Sequence, residues 1–335
     1  MSDAAVRSAS KRPPAWAALR RAALSEHLVL WLCVGYAAAV APFAPGFFST
    51  GNLVSILLTL IPLFIVALGQ TVVLIAGGID LSVTSTIACA SVAGAMVMTA
   101  QDGWLAGHVL ATPVALLVML LIGAILGGVN GVAVARLRMP AFIVTLTTMM
   151  FFSGFAIWLT QSRNIGGLPA SFTRLGGHVW FAGAIAVAAG WLVHIGLSRS
   201  LAGRWLFAVG HNARTAEVSG VPVAGVTVAA YIASGICAAI AAVIYTGQAE
   251  SGSPVMGQRI LLDVIGATVI GGASLFGGKG KVLWTLWGVL FFKLIDNSLN
   301  LLNLSIFAIT MVKGAVILAA AVLDATRQRL AGGRA

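Results

Sequence analysis

Charge is scarce in this chain: only 9% of its 335 residues are Asp, Glu, Lys or Arg, and just nine of those are acidic. Soluble domains carry roughly a quarter charged residues, so a water-facing globular surface is excluded for most of the length. The three cysteines, Cys33, Cys89 and Cys237, stand singly inside apolar runs, which excludes a disulfide framework and a thiolate metal site and leaves them as packing residues. There is no His-Glu-x-x-His zinc motif and no Gly-x-Ser-x-Gly elbow, and the five histidines are scattered. Residues 272–280 look like a phosphate-binding loop, but an extra glycine intrudes and Gly280 stands where Ser or Thr would hold magnesium. Nothing in the sequence supports an enzyme active site, a metal or a cofactor.

What the chain has is apolar length. Hydrophobic residues make up 59% of it, with a mean hydropathy of +1.01. A helix needs about 20 apolar residues to cross a bilayer, and lipid forces the backbone to satisfy its own hydrogen bonds, so each long apolar run is read as helical. Ten candidate spans follow, at 27–45, 52–76, 81–100, 108–135, 141–160, 177–197, 223–247, 260–276, 282–303 and 305–324. The eighth is short and interrupted by Gly266, Gly271 and Gly272, as expected of a broken or re-entrant segment.

The net charge of +11 does not point to nucleic acid, because the cations sit at the ends of spans rather than on one aromatic-bearing face. Their placement obeys the positive-inside rule. With the N-terminus inside, the inner side collects Arg7, Lys11, Arg12, Arg20 and Arg21, then Arg136, Arg138, Arg199, Arg204, Arg214, Lys279 and Lys281, and finally Arg327, Arg329 and Arg334. The outer side holds only Arg163, Arg174 and Arg259, while Lys293 and Lys313 fall within spans. The expectation is an all-α polytopic membrane protein of about ten crossings with both termini cytoplasmic. It has a cytoplasmic tail over 1–26, one transmembrane domain over 27–325 with a long inner connection at 198–222, and a short tail over 326–335. The basic N-terminal segment is too long, and lacks the small-residue cleavage site, for a signal peptide.

Several features inside this frame carry candidate mechanism. In the inner connection, Asn212 is a suitable N-cap, Gly220 a suitable stop, and Pro222 prevents continuation, which predicts a helix of about two turns. So short a helix is marginal alone and has to dock on something, either lipid headgroups or a cytoplasmic partner. Around Gly77, Gly78 and Asp80, the glycines can end one helix and Asp80 can cap the next, a structural role that requires no substrate. Gly271-Gly272 repeats that pattern faintly in the second half. In the ninth span, Lys293, Asp296, Asn297, Asn300 and Asn303 recur at helical spacing as one polar stripe. Charge at mid-bilayer costs about 2.5–3.5 kcal/mol on insertion scales, so the stripe faces protein or water. Bonding between helices and the lining of a hydrophilic pathway both satisfy that condition, and Lys313 poses the same question with no evident sequence partner. Gly123, Gly127, Gly128 and Gly131 permit a close helix contact, within one subunit or between two.

Taken in order, several longer motifs resemble the membrane permease subunits of ribose-type sugar ABC importers, in the branched-chain amino acid and ribose permease superfamily. They are Gly77-Gly78-Ile79-Asp80-Leu81-Ser82-Val83, Gly128-Val129-Asn130-Gly131, Met139-Pro140-Ala141-Phe142-Ile143-Val144-Thr145-Leu146, Ala208-Val209-Gly210-His211-Asn212, residues 270–280 and Leu299-Asn300-Leu301-Leu302. The resemblance covers about residues 50–325. It implies a homodimeric permease in the bacterial inner membrane, joined to a cytoplasmic ATP-binding subunit and fed by a periplasmic or extracellular solute-binding protein. By this likeness the helix around 213–219 is the coupling helix, with Arg214, Ala216, Glu217 and Gly220 at the ATPase contact. Candidate pathway or gate residues are Asn130, Thr145, Asp296, Asn297 and Asn300. The chain departs from the family where Leu261-Leu262-Asp263 lacks a usual glutamate and where Thr84 replaces a common glycine. An ion-coupled secondary transporter using Asp296, Lys293 or Lys313, and a non-transporting membrane scaffold, are the rival readings.

Overall fold

A computed structural model describes residues 28–332, and the tail expected over 1–26 lies outside the described residues, as do 333–335. Among the described residues there are thirteen helices and no strand, with one isolated bridge pairing Ile165 and Gly252. In chain order the helices are α1 (Leu28–Val40), α2 (Thr50–Ile75), α3 (Val83–Met98), α4 (Ala111–Ala135), α5 (Ala141–Thr160), α6 (Ala170–Gly177) and α7 (Val179–Arg199). They continue with α8 (Leu201–His211), α9 (Ala213–Val218), α10 (Val223–Ala249), α11 (Leu261–Gly271), α12 (Val282–Leu301) and α13 (Ile306–Gly332).

Six of these, α2, α4, α5, α7, α10 and α12, are long and apolar enough to cross a membrane. Four shorter apolar helices, α1, α3, α11 and the Ile306–Val322 part of α13, occupy the remaining candidate spans. At about 1.5 Å per residue, the 11 residues of α11 rise only about 16 Å, roughly half a hydrocarbon core of about 30 Å. Its end is fixed by Gly272, whose φ of +108° is a left-handed cap that glycine adopts without strain.

Packing centres on α10, which lies against α2, α3, α4 and α6. Small side chains make this possible. A Cβ on Gly127 of α4 would stand 2.3 Å from the carbonyl oxygen of Tyr231, and Gly123 and Gly131 meet the same helix, so the glycine ridge is spent on contact within one chain. Around it Leu63, Ile65, Leu68, Ile87, Ala238, Ala241 and Ile244 are completely buried. The outward faces are the reverse of a soluble protein's: Phe151, Trp158, Trp180, Trp191 and Met311 are all more than 60% exposed. Continuous apolar exposure of this kind suits lipid rather than water.

The connections gather at two ends of the bundle. At one end a shallow cavity is lined by residues from 76–78, 134–141, 209–213 and 223–231 together. At the other, Ala100 donates to the Gly167 carbonyl, Ile165 pairs with Gly252, and Gln248 Nε2 donates to the Leu58 carbonyl at 2.9 Å. The three cysteines are free; Cys33 and Cys89 donate to the carbonyls of Trp287 and Phe152 across helix contacts.

Candidate functional site

The inner connection is built more heavily than its sequence suggests. Residues 201–211, expected as loop, form α8, because Ser200 Oγ accepts from Gly203 N at 2.9 Å and starts a helix where none was foreseen. The short helix α9 follows at once. Asn212 Oδ1 caps it by accepting from Thr215 N at 2.9 Å, and its far end closes through Gly220 at φ +82°, with Val221 N donating to the Ala216 carbonyl at 3.0 Å. Ala216 is buried against Leu206, Val209, Val226 and Ala230, so α9 is seated on the bundle by one small side chain. Arg214, Glu217 and Gly220 are exposed, and Val218 is 86% exposed. The knob is therefore anchored beneath and presents one cation, one anion and one bare apolar side chain outward.

Behind the knob, three chain segments meet backbone to backbone. Gly278 N donates to the Ile75 carbonyl at 2.9 Å, at the end of α2. Gly210, at the end of α8, lies against that same carbonyl, and Gly277 lies against the Gly210 carbonyl and Gly77 Cα. The end of α8 is thus in direct backbone contact with the end of α2 and with the 272–281 loop that leads into α12.

A second node joins three residues that the sequence treats separately. Contrary to the expectation that Asp80 caps α3, Ser82 occupies the cap position, and Asp80 Oδ1 instead accepts from Ser82 N at 3.0 Å and Ser82 Oγ at 2.6 Å. Asp80 Oδ2 accepts from Ser234 Oγ of α10 at 2.7 Å, and Asn130 Nδ2 of α4 donates to Ser82 Oγ at 2.7 Å. Tyr231 donates to the Ile79 carbonyl at 3.2 Å, and Thr145 Oγ1, whose hydroxyl donates to the Ala141 carbonyl of its own helix at 2.8 Å, lies 3.4 Å from that same Ile79 oxygen. Asp80, Asn130 and Thr145 are all essentially without solvent exposure. One polar knot therefore ties the α2–α3 connection to α4, α5 and α10. Gly77 and Gly78 end α2 just before it by donating to the Leu74 and Val73 carbonyls.

The third node gives Lys313 the partners that its sequence context conceals. Its Nζ lies 2.7 Å from Asp296 Oδ1 and 3.0 Å from Asp263 Oδ2, while Lys293 Nζ lies 3.7 Å from Asp296 Oδ2. Two cations and two anions from α11, α12 and α13 thus cancel inside the apolar bundle, where an unpaired charge is costly. Asn297 exchanges two hydrogen bonds with Asn52, at 2.9 Å and 2.7 Å, and Asn300 Nδ2 donates to the Asp296 carbonyl. Gly271 serves close packing, with the Trp284 carbonyl where a Cβ would stand. Sequence reasoning missed Asn52, Ser234 and Tyr231, quoted Ser82 only within a motif, and noted Asp263 only as part of a departure from one. Serine and asparagine in an apolar run look like packing residues until a partner on another helix is known.

Buried polar nodes, a docked external helix and lipid-suited outer faces define a polytopic membrane protein. Over residues 52–321 the chain matches the family described as the permease component of branched-chain amino acid transport systems, and it belongs to that family. It is 35% identical over 301 residues to the ribose import permease of Haemophilus influenzae, covering 86% of this chain and 89% of that protein. It is also 35% identical over 303 residues to the L-arabinose transport permease of Escherichia coli, covering 87% and 88%. With the autoinducer 2 import permease of Salmonella choleraesuis it shares 34% over 271 residues, covering 78% and 74%. No solved structure matches the chain. The protein is a multi-pass permease of the bacterial cytoplasmic membrane.

Proposed function

We propose that this chain is the translocation subunit of an ABC importer for a monosaccharide or a similarly small polar solute. In this reading residues 27–325 form one permease domain of ten crossings with both termini cytoplasmic. A separate ATP-binding subunit grips Arg214, Ala216, Glu217 and Gly220; an extracytoplasmic binding protein delivers solute, and a second copy of the chain completes the pathway. The observation that carries it is α9: capped at both ends, seated by Ala216, and coupled through Gly210 to Ile75 and Gly278. A helix this short, held this firmly with an exposed tip, is suited to receiving force. Its end of the bundle also carries Arg136, Arg199, Arg204, Lys279 and Lys281, in accord with a cytoplasmic placement.

The hydrogen-bonded knot of Asp80, Asn130 and Thr145 is a closed inner gate in this reading, and Asp296, Asn297 and Asn300 mark the polar side of the outer half. The relatives import ribose and L-arabinose, which supports a monosaccharide as cargo here. The ion quartet is the feature that an ion-coupled secondary transporter would use instead. Uptake of labelled sugar into proteoliposomes separates the two. Uptake that requires ATP, the ATPase subunit and the binding protein is the expected result; uptake by this chain alone under an ion gradient overturns it.

A further inference from the structure

The carboxyls of Asp263 and Asp296 are answered by Lys313 and Lys293. Asp80 is not answered in this way: it is 1% exposed, and the groups bonded to it are one backbone N–H and two hydroxyls. Around it stand Asn130 of α4, Thr145 of α5, and Ser234 and Tyr231 of α10. Of these Tyr231 alone is titratable, and among the described residues no lysine, arginine or histidine acts on Asp80.

A carboxylate stripped of water and left without a cation is costly, and proteins relieve that cost by keeping the group protonated. The bonds at Asp80 allow it. Oδ1 faces two committed donors, because Ser82 N can only donate and Ser82 Oγ, already accepting from Asn130 Nδ2, turns its hydrogen to Oδ1. Oδ2 faces only the Ser234 hydroxyl at 2.7 Å, which can give or take a hydrogen bond, so a proton on Oδ2 simply reverses that bond. A second sign is Asn130 Oδ1, a fully buried acceptor on the same knot that has no donor. The knot is short of hydrogens rather than of acceptors. A metal cation is the other remedy, but it needs room among the oxygens. The cavity at this end, about 310 Å³, is lined by Gly77, Gly78 and Tyr231 and not by Asp80, Ser82 or Asn130.

We propose that Asp80 is a proton-held latch: a neutral carboxylic acid while the α2–α3 connection is tied to α4 and α10, and a carboxylate once that connection opens to water. On opening, the proton leaves Oδ2 for water in the 310 Å³ cavity, and on closing it returns from there. Gly78 and Tyr231 form the cavity wall on the side of the knot, and Tyr231 is bonded to the Ile79 carbonyl next to Asp80. The inference rests on the closed-gate reading of this knot and adds what holds it shut. The closed form binds one proton more than the open form, so acid favours closure and alkali favours opening.

The test is infrared spectroscopy of the full chain in nanodiscs. A protonated-carboxyl band present in the parent at neutral pH and absent from Asp80→Asn is expected. Ser234→Ala, which keeps the carboxyl but removes its reversible partner, should shift that band in frequency. Absence of the band, or a band that Ser234→Ala leaves in place, overturns the proposal. So does a band that emerges only when sodium and potassium are withdrawn, which would make the knot a metal-cation site. Hydrogen exchange of the amides of residues 79–86 reads the latch itself: each pH unit up to the midpoint of the band should raise exchange about tenfold more in the parent than in Asp80→Asn. Parallel pH profiles in the two overturn the latch even where the band is found. Failure of either measurement leaves the importer reading standing, because sugar uptake into proteoliposomes tests that separately.

Discussion

Gly210 faces the carbonyl oxygen of Ile75 so closely that a Cβ there would stand 1.7 Å from it. Gly278 N shares the same acceptor. The end of α2, the end of α8 and the loop into α12 therefore meet on one carbonyl, directly behind the exposed α9, and no side chain intervenes to absorb displacement.

Gly210→Ala must then push the junction apart. Overpacking of this kind costs about 1–3 kcal/mol, and here backbone rather than a flexible side chain has to yield. A lowered thermal midpoint of the purified chain is expected, together with weaker coupling of ATP hydrolysis to uptake. An unchanged midpoint would mean that α8 is free to slide, and the transmission argument would fail.

At the knob itself, Glu217→Arg reverses an exposed charge, and Gly220→Pro removes a φ of +82° that proline cannot adopt as well as the N–H that donates to the Glu217 carbonyl. Both changes lie outside the spans. Membrane insertion and yield should stay at the parental level while substrate-stimulated ATPase of the assembled transporter falls by about tenfold, or roughly 1.4 kcal/mol. Parental stimulation in both variants would remove the coupling role from α9.

Lys313 is the hinge of the ion quartet, because it alone bonds both Asp263 and Asp296. Lys313→Leu leaves two carboxylates facing each other with only Lys293 nearby, and breaking a buried pair from one side costs about 3–5 kcal/mol. Asp263→Leu combined with Lys313→Leu should recover part of that loss, since the second change removes an uncompensated charge. Thermal unfolding of the two single variants and the double variant measures the coupling. Strict additivity would show that the 3.0 Å contact contributes nothing to holding α11 against α13.

Much of this was legible in the chain, and the physical reason is the bilayer. Lipid demands long apolar runs, so each of the ten candidate spans contains an apolar helix. The cap chemistry of Asn212 and Gly220 is equally local and marks α9 within a residue or two. What stayed hidden is whatever needs a partner from far along the sequence. Asp80 carries the residue type of a helix cap, yet its carboxylate turns back to Ser82 and across to Ser234, 154 positions away. Lys313 reads as an orphan until Asp263, 50 positions earlier, is folded beside it. The helix α8 was missed because its apolar and basic residues satisfy no membrane period and its start depends on one serine hydroxyl.

Gln70 offers the sharpest separation of stability from transport. It is fully buried in the sixth turn of α2, and neither its Nε2 nor its Oε1 has a hydrogen-bond partner. Leaving such a group unsatisfied costs about 1–3 kcal/mol, whereas an apolar side chain of similar size avoids the cost. Gln70→Leu should therefore raise the thermal midpoint of the purified chain. Transport is expected to fall in the same variant, because an amide kept at that cost acquires its partners when α2 shifts or when solute passes. A raised midpoint with undiminished uptake would leave Gln70 without a part in the cycle. A lowered midpoint would contradict the accounting of its unmet hydrogen bonds.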